Sequence, residues 1–164
     1  MDKQISIKKD DIKLAEYCEA ESFSKETLEK LSTVDILALP YEYEEGEFYF
    51  SDDTVDFIKY CRSSQSEYGV DLLAEGNIRV RSLHSLTIWL PVIRIAELVL
   101  LPVVLNLISS YIFDKIKGKE HDKPQVDVDI MIDKGKRNVK IHYRGDATTF
   151  KESFEKIDIN SLLK

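Results

Sequence analysis

The chain has 164 residues, 43% hydrophobic and 32% charged, with a formal net charge of -7 and a pI near 5.1. That composition is too apolar for a disordered chain, too charged for a bulk membrane protein, and long enough to bury one core. Its acidity argues against nucleic acid as a partner, because phosphate backbones require a concentrated basic face. The one basic grouping, Lys134, Lys136, Arg137, Lys140 and Arg144, is expected at a solvated hairpin tip.

Residues 1–11 alternate charge and carry no apolar stretch of the kind a secretory signal needs. Two isolated cysteines, Cys18 and Cys61, fit free thiols in a reducing cytoplasm, which is the expected location. Residues 10–32 read as helices, with Asp10 or Asp11 as one cap and Ser24 as another. Residues 34–40 (VDILALP) read as a buried strand stopped by proline. Residues 41–50 mix Tyr41, Tyr43 and Tyr49 with Glu42, Glu44, Glu45 and Glu47 and are expected to form an acidic loop. Tyrosine offers rigid apolar area with a polar tip, so this loop is a candidate contact surface.

Ser51-Asp52-Asp53-Thr54 has the chemistry of a helix start, a hydroxyl cap followed by carboxylates at the positive end of the helix dipole. A second apolar strand follows at residues 69–74 (GVDLLA). Strand, helix and strand in this order predict a parallel βαβ unit. Residues 78–81 (IRVR) alternate as an edge strand would.

The longest apolar run occupies residues 86–113, from Leu86 to Phe113 (LTIWLPVIRIAELVLLPVVLNLISSYIF), and is expected to be one long helix. Two roles fit it. A membrane segment is suggested by its length, by Trp89 and Tyr111 near its ends, and by Lys115, Lys117 and Lys119 beyond it. A core or oligomer-forming helix is favoured by Arg94, Glu97 and Asn106, since a charge at the centre of a span costs about 2.5–3.5 kcal/mol. On a helix Arg94 and Glu97 stand i, i+3 and can pair near an interface.

Residues 126–144 carry the clearest pattern. Val126, Val128, Ile130 and Ile132 alternate with polar residues, and so do Val139, Ile141 and Tyr143. Gly135-Lys136 suits a two-residue turn, which sets Ile132 opposite Val139, Ile130 opposite Ile141, Asp129 opposite His142 and Asp127 opposite Arg144. A closing helix through Phe150, Phe154 and Ile157 follows, started by Thr148 or Thr149.

The fold class expected is therefore α+β: a βαβ unit, a long apolar helix and a C-terminal antiparallel β-hairpin with a closing helix. One domain is expected, in blocks at residues 1–76, 77–118 and 119–164. Phosphate loops, paired-cysteine and HExxH metal motifs and nucleophile elbows do not occur in the sequence, so no catalytic, cofactor-binding or metal residue is assigned. Asp127, Asp129 and His142 form the one grouping with acid–base chemistry, and cross-strand pairing explains them better.

From Trp89-Leu90-Pro91 through residues 114–118 (DKIKG) to the hairpin and the helix after Gly145, the arrangement resembles small uncharacterised bacterial proteins. Some of these are similar to accessory components encoded beside effectors in bacterial conflict or anti-phage defence systems. The resemblance covers roughly the C-terminal half, rests on no diagnostic motif, and implies an adaptor or regulatory role without carrying over any residue. The expected function is a non-enzymatic accessory or regulatory interaction protein that self-associates or binds a protein partner. Its contact residues are expected among Trp89, Arg94, Glu97, Tyr41, Tyr43 and Tyr49. The alternatives are a membrane-associated effector or anchor using residues 86–113, and an unrecognised hydrolase or nuclease using Asp127, Asp129 and His142.

Overall fold

In chain order the elements are β1 (Ile5–Asp10), α1 (Lys25–Leu28), α2 (Lys30–Thr33), β2 (Ile36–Ala38), β3 (Tyr41–Glu44), β4 (Glu47–Ser51), α3 (Asp52–Ser64), β5 (Val70–Leu72), β6 (Val80–Arg81), β7 (Thr87–Ile95), α4 (Leu101–Ile116, entered by a 3-10 turn over Leu98–Leu100), β8 (Gln125–Lys134), β9 (Arg137–Asp146) and α5 (Phe150–Glu155). They come from a computed structural model that describes residues 5–10, 23–44, 47–65, 67–82, 87–134 and 137–155. The architecture is α+β.

Six strands form one mixed sheet in the order β1-β9-β8-β7-β2-β5. The alternating segments 126–132 and 139–143 become the β8–β9 hairpin in the register their pattern dictates. Ile130 faces Ile141, Ile132 faces Val139 and Asp129 faces His142. Pairing of Lys134 with Arg137 matches a two-residue connection. The βαβ unit also forms, β2 and β5 lying side by side and parallel with α3 in the crossover between them.

Three expectations are corrected. Residues 41–44 and 47–50 are strands where a loop was expected: β3 and β4 pair antiparallel, and with β6 they make a second sheet of three strands. Aromatic residues in this stretch favour a pleated, half-buried surface more than its glutamates favour solvent. The apolar run is not one helix from residue 86. Its first part is β7, and the helix starts only at the turn Leu98–Leu100. A strand covered on both faces reads as a continuous apolar run, so its pattern imitates a buried helix. The N-terminal residues Ile5–Asp10, where the sequence pattern predicts no strand and takes Asp10 as a helix cap, form β1 on the edge of β9. Residues 11–22, Gly135, Lys136 and Ile157 lie outside the described residues.

Helices α3, α4 and α5 cover one face of the large sheet. Their inward residues Phe57, Ile58, Val104, Ile108, Ile112 and Phe150 share a core with Leu90, Ile93, Ile95, Val128 and Ile130. On the opposite face a smaller cluster of Leu37, Leu39 and Leu73 is closed by Phe23, Leu28 and Val34. Ser24 starts α1 as expected, its side chain accepting from the Thr27 N–H at 3.2 Å. At the end of β9, Asp146 caps the turn into α5 by accepting from the Thr148 N–H at 2.8 Å, a role the pattern had given to the threonines.

Between Leu90 and Ile93 the β7–β8 register shifts: Leu90 faces Val128, while Ile93 already faces Ile130. Pro91 and Val92 form this bulge, where a residue without an N–H removes nothing from the ladder. Past the bulge β2 pairs with residues 93–95, leaving residues 87–90 of β7 without a strand on that edge among the described residues.

Helix α4 has two unlike sides. Val104, Ile108, Tyr111 and Ile112 are buried, whereas Val99 is 72% and Phe113 63% exposed. From Leu98 to Ile116 the helix is long and apolar enough to cross a membrane by length and composition, and 39% of its most apolar stretch is buried.

Candidate functional site

The uncovered edge of β7 organises the region where the expected contact residues meet. Ser51 ends β4 and caps α3, its side chain accepting from the Thr54 N–H at 3.0 Å. The same hydroxyl donates to the Trp89 carbonyl at 2.6 Å. Two residues on, the Asp53 carboxylate accepts from the Trp89 N–H at 2.9 Å and from the Tyr111 hydroxyl at 3.1 Å. The backbone of Trp89 is thus bound on the side where a strand partner is missing, and two side chains replace that partner.

This anchorage locates the Trp89 ring. It meets Tyr41 edge-on at 4.6 Å between centroids, and Tyr41 lies 6.4 Å from Tyr49, its cross-strand partner. The Arg79 guanidinium stands 6.0 Å over Tyr49, within cation–π range. The Tyr49 hydroxyl donates to Glu47 at 2.9 Å. Tyr41, Tyr49 and Trp89 are all partly buried, and Arg79 is exposed. Aromatic rings of this kind supply contact area at low conformational cost, and the arginine adds a directional charge.

Burial shifts the acid–base balance of the anchor. Loss of water pushes the Asp53 carboxyl above its ordinary value, against the Trp89 N–H and the Tyr111 hydroxyl, which favour the charged form. The Tyr111 phenol is raised as well, first by burial and then by the Asp53 charge. Both groups hold the β7 edge in place, and nothing in their geometry requires proton transfer.

The other expected contact residues lie elsewhere. Arg94 is on β7, not on a helix, 4% exposed, with Nη1 donating to the Val34 carbonyl at 3.5 Å. Glu97 is extended (φ -141°), exposed, and precedes the 3-10 turn without a side-chain capping bond. The helical i, i+3 pairing expected of these two therefore does not arise. For Tyr43 only the backbone in β3 is described. Ser51, Asp53, Arg79 and Tyr111 were not singled out for this region. The signal for Ser51 and Asp53 was present as a helix start, but its second use, holding Trp89, depends on tertiary placement.

The acid–base grouping forms on the outer face of β8 and β9. His142 Nδ1 lies 2.5 Å from Asp129 Oδ1 and 3.7 Å from Asp127 Oδ1, and Lys140 Nζ is 3.7 Å from Asp129 Oδ2. Burial pushes the Asp127 carboxyl above its ordinary value, opposed by His142 and Arg144 and reinforced by Asp129. The β1 register sets Ser6 opposite His142, so serine, histidine and aspartate line one row across three strands. Cavities of about 920, 580 and 330 Å³ are lined by other residues. The row does the work of a cross-strand polar ladder. Among the described residues no group of three or more His, Cys, Asp or Glu side chains could hold a metal ion. Cys61 is buried, which pushes its thiol up to about 12 and leaves it inert. No family model, curated protein or solved structure matches the chain.

Proposed function

We propose that this is a non-enzymatic accessory or regulatory interaction protein, acting through contact with another protein surface. One observation carries the reading: Tyr41, Tyr49 and Trp89, from three strands and two sheets, converge beside exposed Arg79 on an edge held by Ser51 and Asp53. Partly exposed aromatics with an arginine, on a rigid support, are the residue types that dominate binding energy at protein interfaces. The resemblance to accessory components of bacterial anti-phage systems supports the same reading and suggests the setting. Affinity capture of the tagged wild type, quantified against Trp89→Ala and Tyr49→Ala, tests it. Loss of one defined partner from both variants, with unchanged circular dichroism, is the expected result. Equal capture by wild type and both variants refutes this placement.

A second reading is favoured by the Leu98–Ile116 helix, which passes the length and composition test for a membrane span. A membrane-associated effector or anchor would stay in the membrane pellet after a carbonate wash, with aggregation controls negative.

A further inference from the structure

We propose that β6 is an open strand edge that takes up an extended segment of a partner protein, apolar on one face of that segment and acidic on the other. The inference rests on the reading of the protein as one that binds protein surfaces, and it names the partner's chemistry.

Backbone direction fixes which groups are on offer. β6 ends the small sheet, after β3 and β4. Its Arg79 carbonyl accepts from the Phe50 N–H at 2.9 Å, so the backbone of residue 79 points at β4. Successive residues of a strand alternate, which turns the N–H and C=O of Val80 toward the outer edge. The chain seals comparable groups elsewhere with its own side chains. On the outer edge of β5 the Val70 carbonyl accepts from Arg62 Nε at 3.1 Å, and the Leu72 carbonyl accepts from Lys30 Nζ at 3.2 Å. On β7, Ser51 and Asp53 hold Trp89 in the same way. Among the described residues no side chain does this for Val80. An edge with backbone groups in view is a template for another strand.

The two faces beside that edge set the side-chain requirement. Val80 pairs with Phe50 and is 45% exposed. Ile78, 37% exposed, lines a cavity of about 330 Å³ with Phe23, Phe48, Phe50 and Leu73, and an apolar side chain of an added strand fits there. Arg79 and Arg81 alternate with these residues and so belong to the other face, where Arg79 stands over Tyr49. Strand addition draws affinity from main-chain bonds and specificity from sites for alternate side chains, and β6 offers both. Val80–Arg81 is a short strand, so the side chains must supply much of the affinity.

Charge selects the occupant. Residues 76–96 contain Arg79, Arg81 and Arg94 and no Asp or Glu, in a chain whose net charge is -7. Neighbouring carboxylates are already bonded, Glu47 to the Tyr49 hydroxyl at 2.9 Å and Asp52 to the Ser82 hydroxyl at 2.8 Å. An added strand with carboxylates at alternate positions meets Arg79 and Arg81, and pairing opposite charges fixes its register. A second copy fits less well, because β6 laid against its own counterpart brings arginine toward arginine.

Fluorescence anisotropy of a labelled peptide of alternating valine and aspartate, titrated with the full chain, tests the proposal. Saturable binding is expected, and the same peptide with lysine in place of aspartate should bind roughly tenfold more weakly. Arg79→Glu, at an exposed position, should cut that preference several-fold. Val80→Pro deletes only an outward N–H and should lose binding with unchanged circular dichroism. With the protein unaltered, N-methylation of alternate peptide nitrogens should block binding in one frame and spare it in the other, since only one set faces β6. Absence of binding, indifference to the sign of the peptide's charge, an unchanged preference in Arg79→Glu, equal effects in both methylation frames, or self-association through β6 in place of peptide binding would each overturn the proposal. Trp89→Ala leaves the β6 edge intact. Loss of partner capture with retained peptide binding would therefore refute the aromatic placement alone, and retained capture without peptide binding would refute strand addition alone.

Discussion

Residues 87–95 and 98–116 are neighbours in sequence and similar in composition, yet their fates differ. β7 lies between β8 and β2, and Leu90, Ile93 and Ile95 are 0% exposed. α4 is buried on one side only and shows Val99 and Phe113 to solvent. The difference teaches that apolar composition reports a need to be covered without saying by what. In β7 the same chain meets that need. In α4 one side stays exposed.

The largest effect that separates the two regions is a core truncation. Ile93→Ala should cost about 2–5 kcal/mol in urea unfolding, because it opens a cavity in a strand covered on both faces. At a dilution where the chain is a protomer, Phe113→Ala should change stability by no more than about 0.5 kcal/mol, the range of ordinary surface substitutions. Similar costs for the two would erase the contrast.

Next comes the edge of β7. Asp53→Ala removes the acceptor for both the Trp89 N–H and the Tyr111 hydroxyl, and should cost about 1–3 kcal/mol by the same measurement. The sign of its pH dependence is set by burial. A carboxyl raised in the folded state holds its proton longer there than in the unfolded chain. Its contribution to stability is therefore present at low pH and declines as pH rises through the folded value. Asp53→Asn should flatten that part of the profile.

Asp71 should behave in the opposite way. Burial alone would raise its carboxyl, but the Leu72 N–H, Lys30 and Arg62 outweigh it and hold the group below its ordinary value. The stabilisation is present above the unfolded value of about 3.9 and is lost as pH falls through the folded one. Asp71 is partly exposed, so Asp71→Asn should cost about 0.5–1 kcal/mol near neutral pH and reduce the loss on acidification. The smallest effect is chemical: Cys61 should resist alkylation in the folded protein and react only on unfolding.

How much of this was readable in the sequence depended on how local each signal is. The β8–β9 hairpin was readable because alternation, turn length and cross-strand pairing all act within about twenty residues. The β2–α3–β5 unit was readable from two short apolar runs around a capped helix. The boundary inside residues 86–113 was not, because Pro91 is as acceptable in a first helical turn as in a bulge, and both parts are apolar. β1 was missed because Lys8, Lys9 and Asp10 mask a strand that its neighbour β9 stabilises. The tyrosines and Trp89 were singled out from residue chemistry. Their convergence required the small sheet to lie against the β7 edge, which no local pattern encodes. Arg94 was assigned to a helix face and proved to lie on the covered outer face of a strand.

The most direct test of the central claim, that Tyr41, Tyr49 and Trp89 form a protein-contact surface at the β7 edge, is quantified affinity capture with the tagged chain. The wild type should retain one defined partner that Trp89→Ala and Tyr49→Ala both lose, with circular dichroism spectra that agree. Equal capture by the wild type and both variants would contradict it.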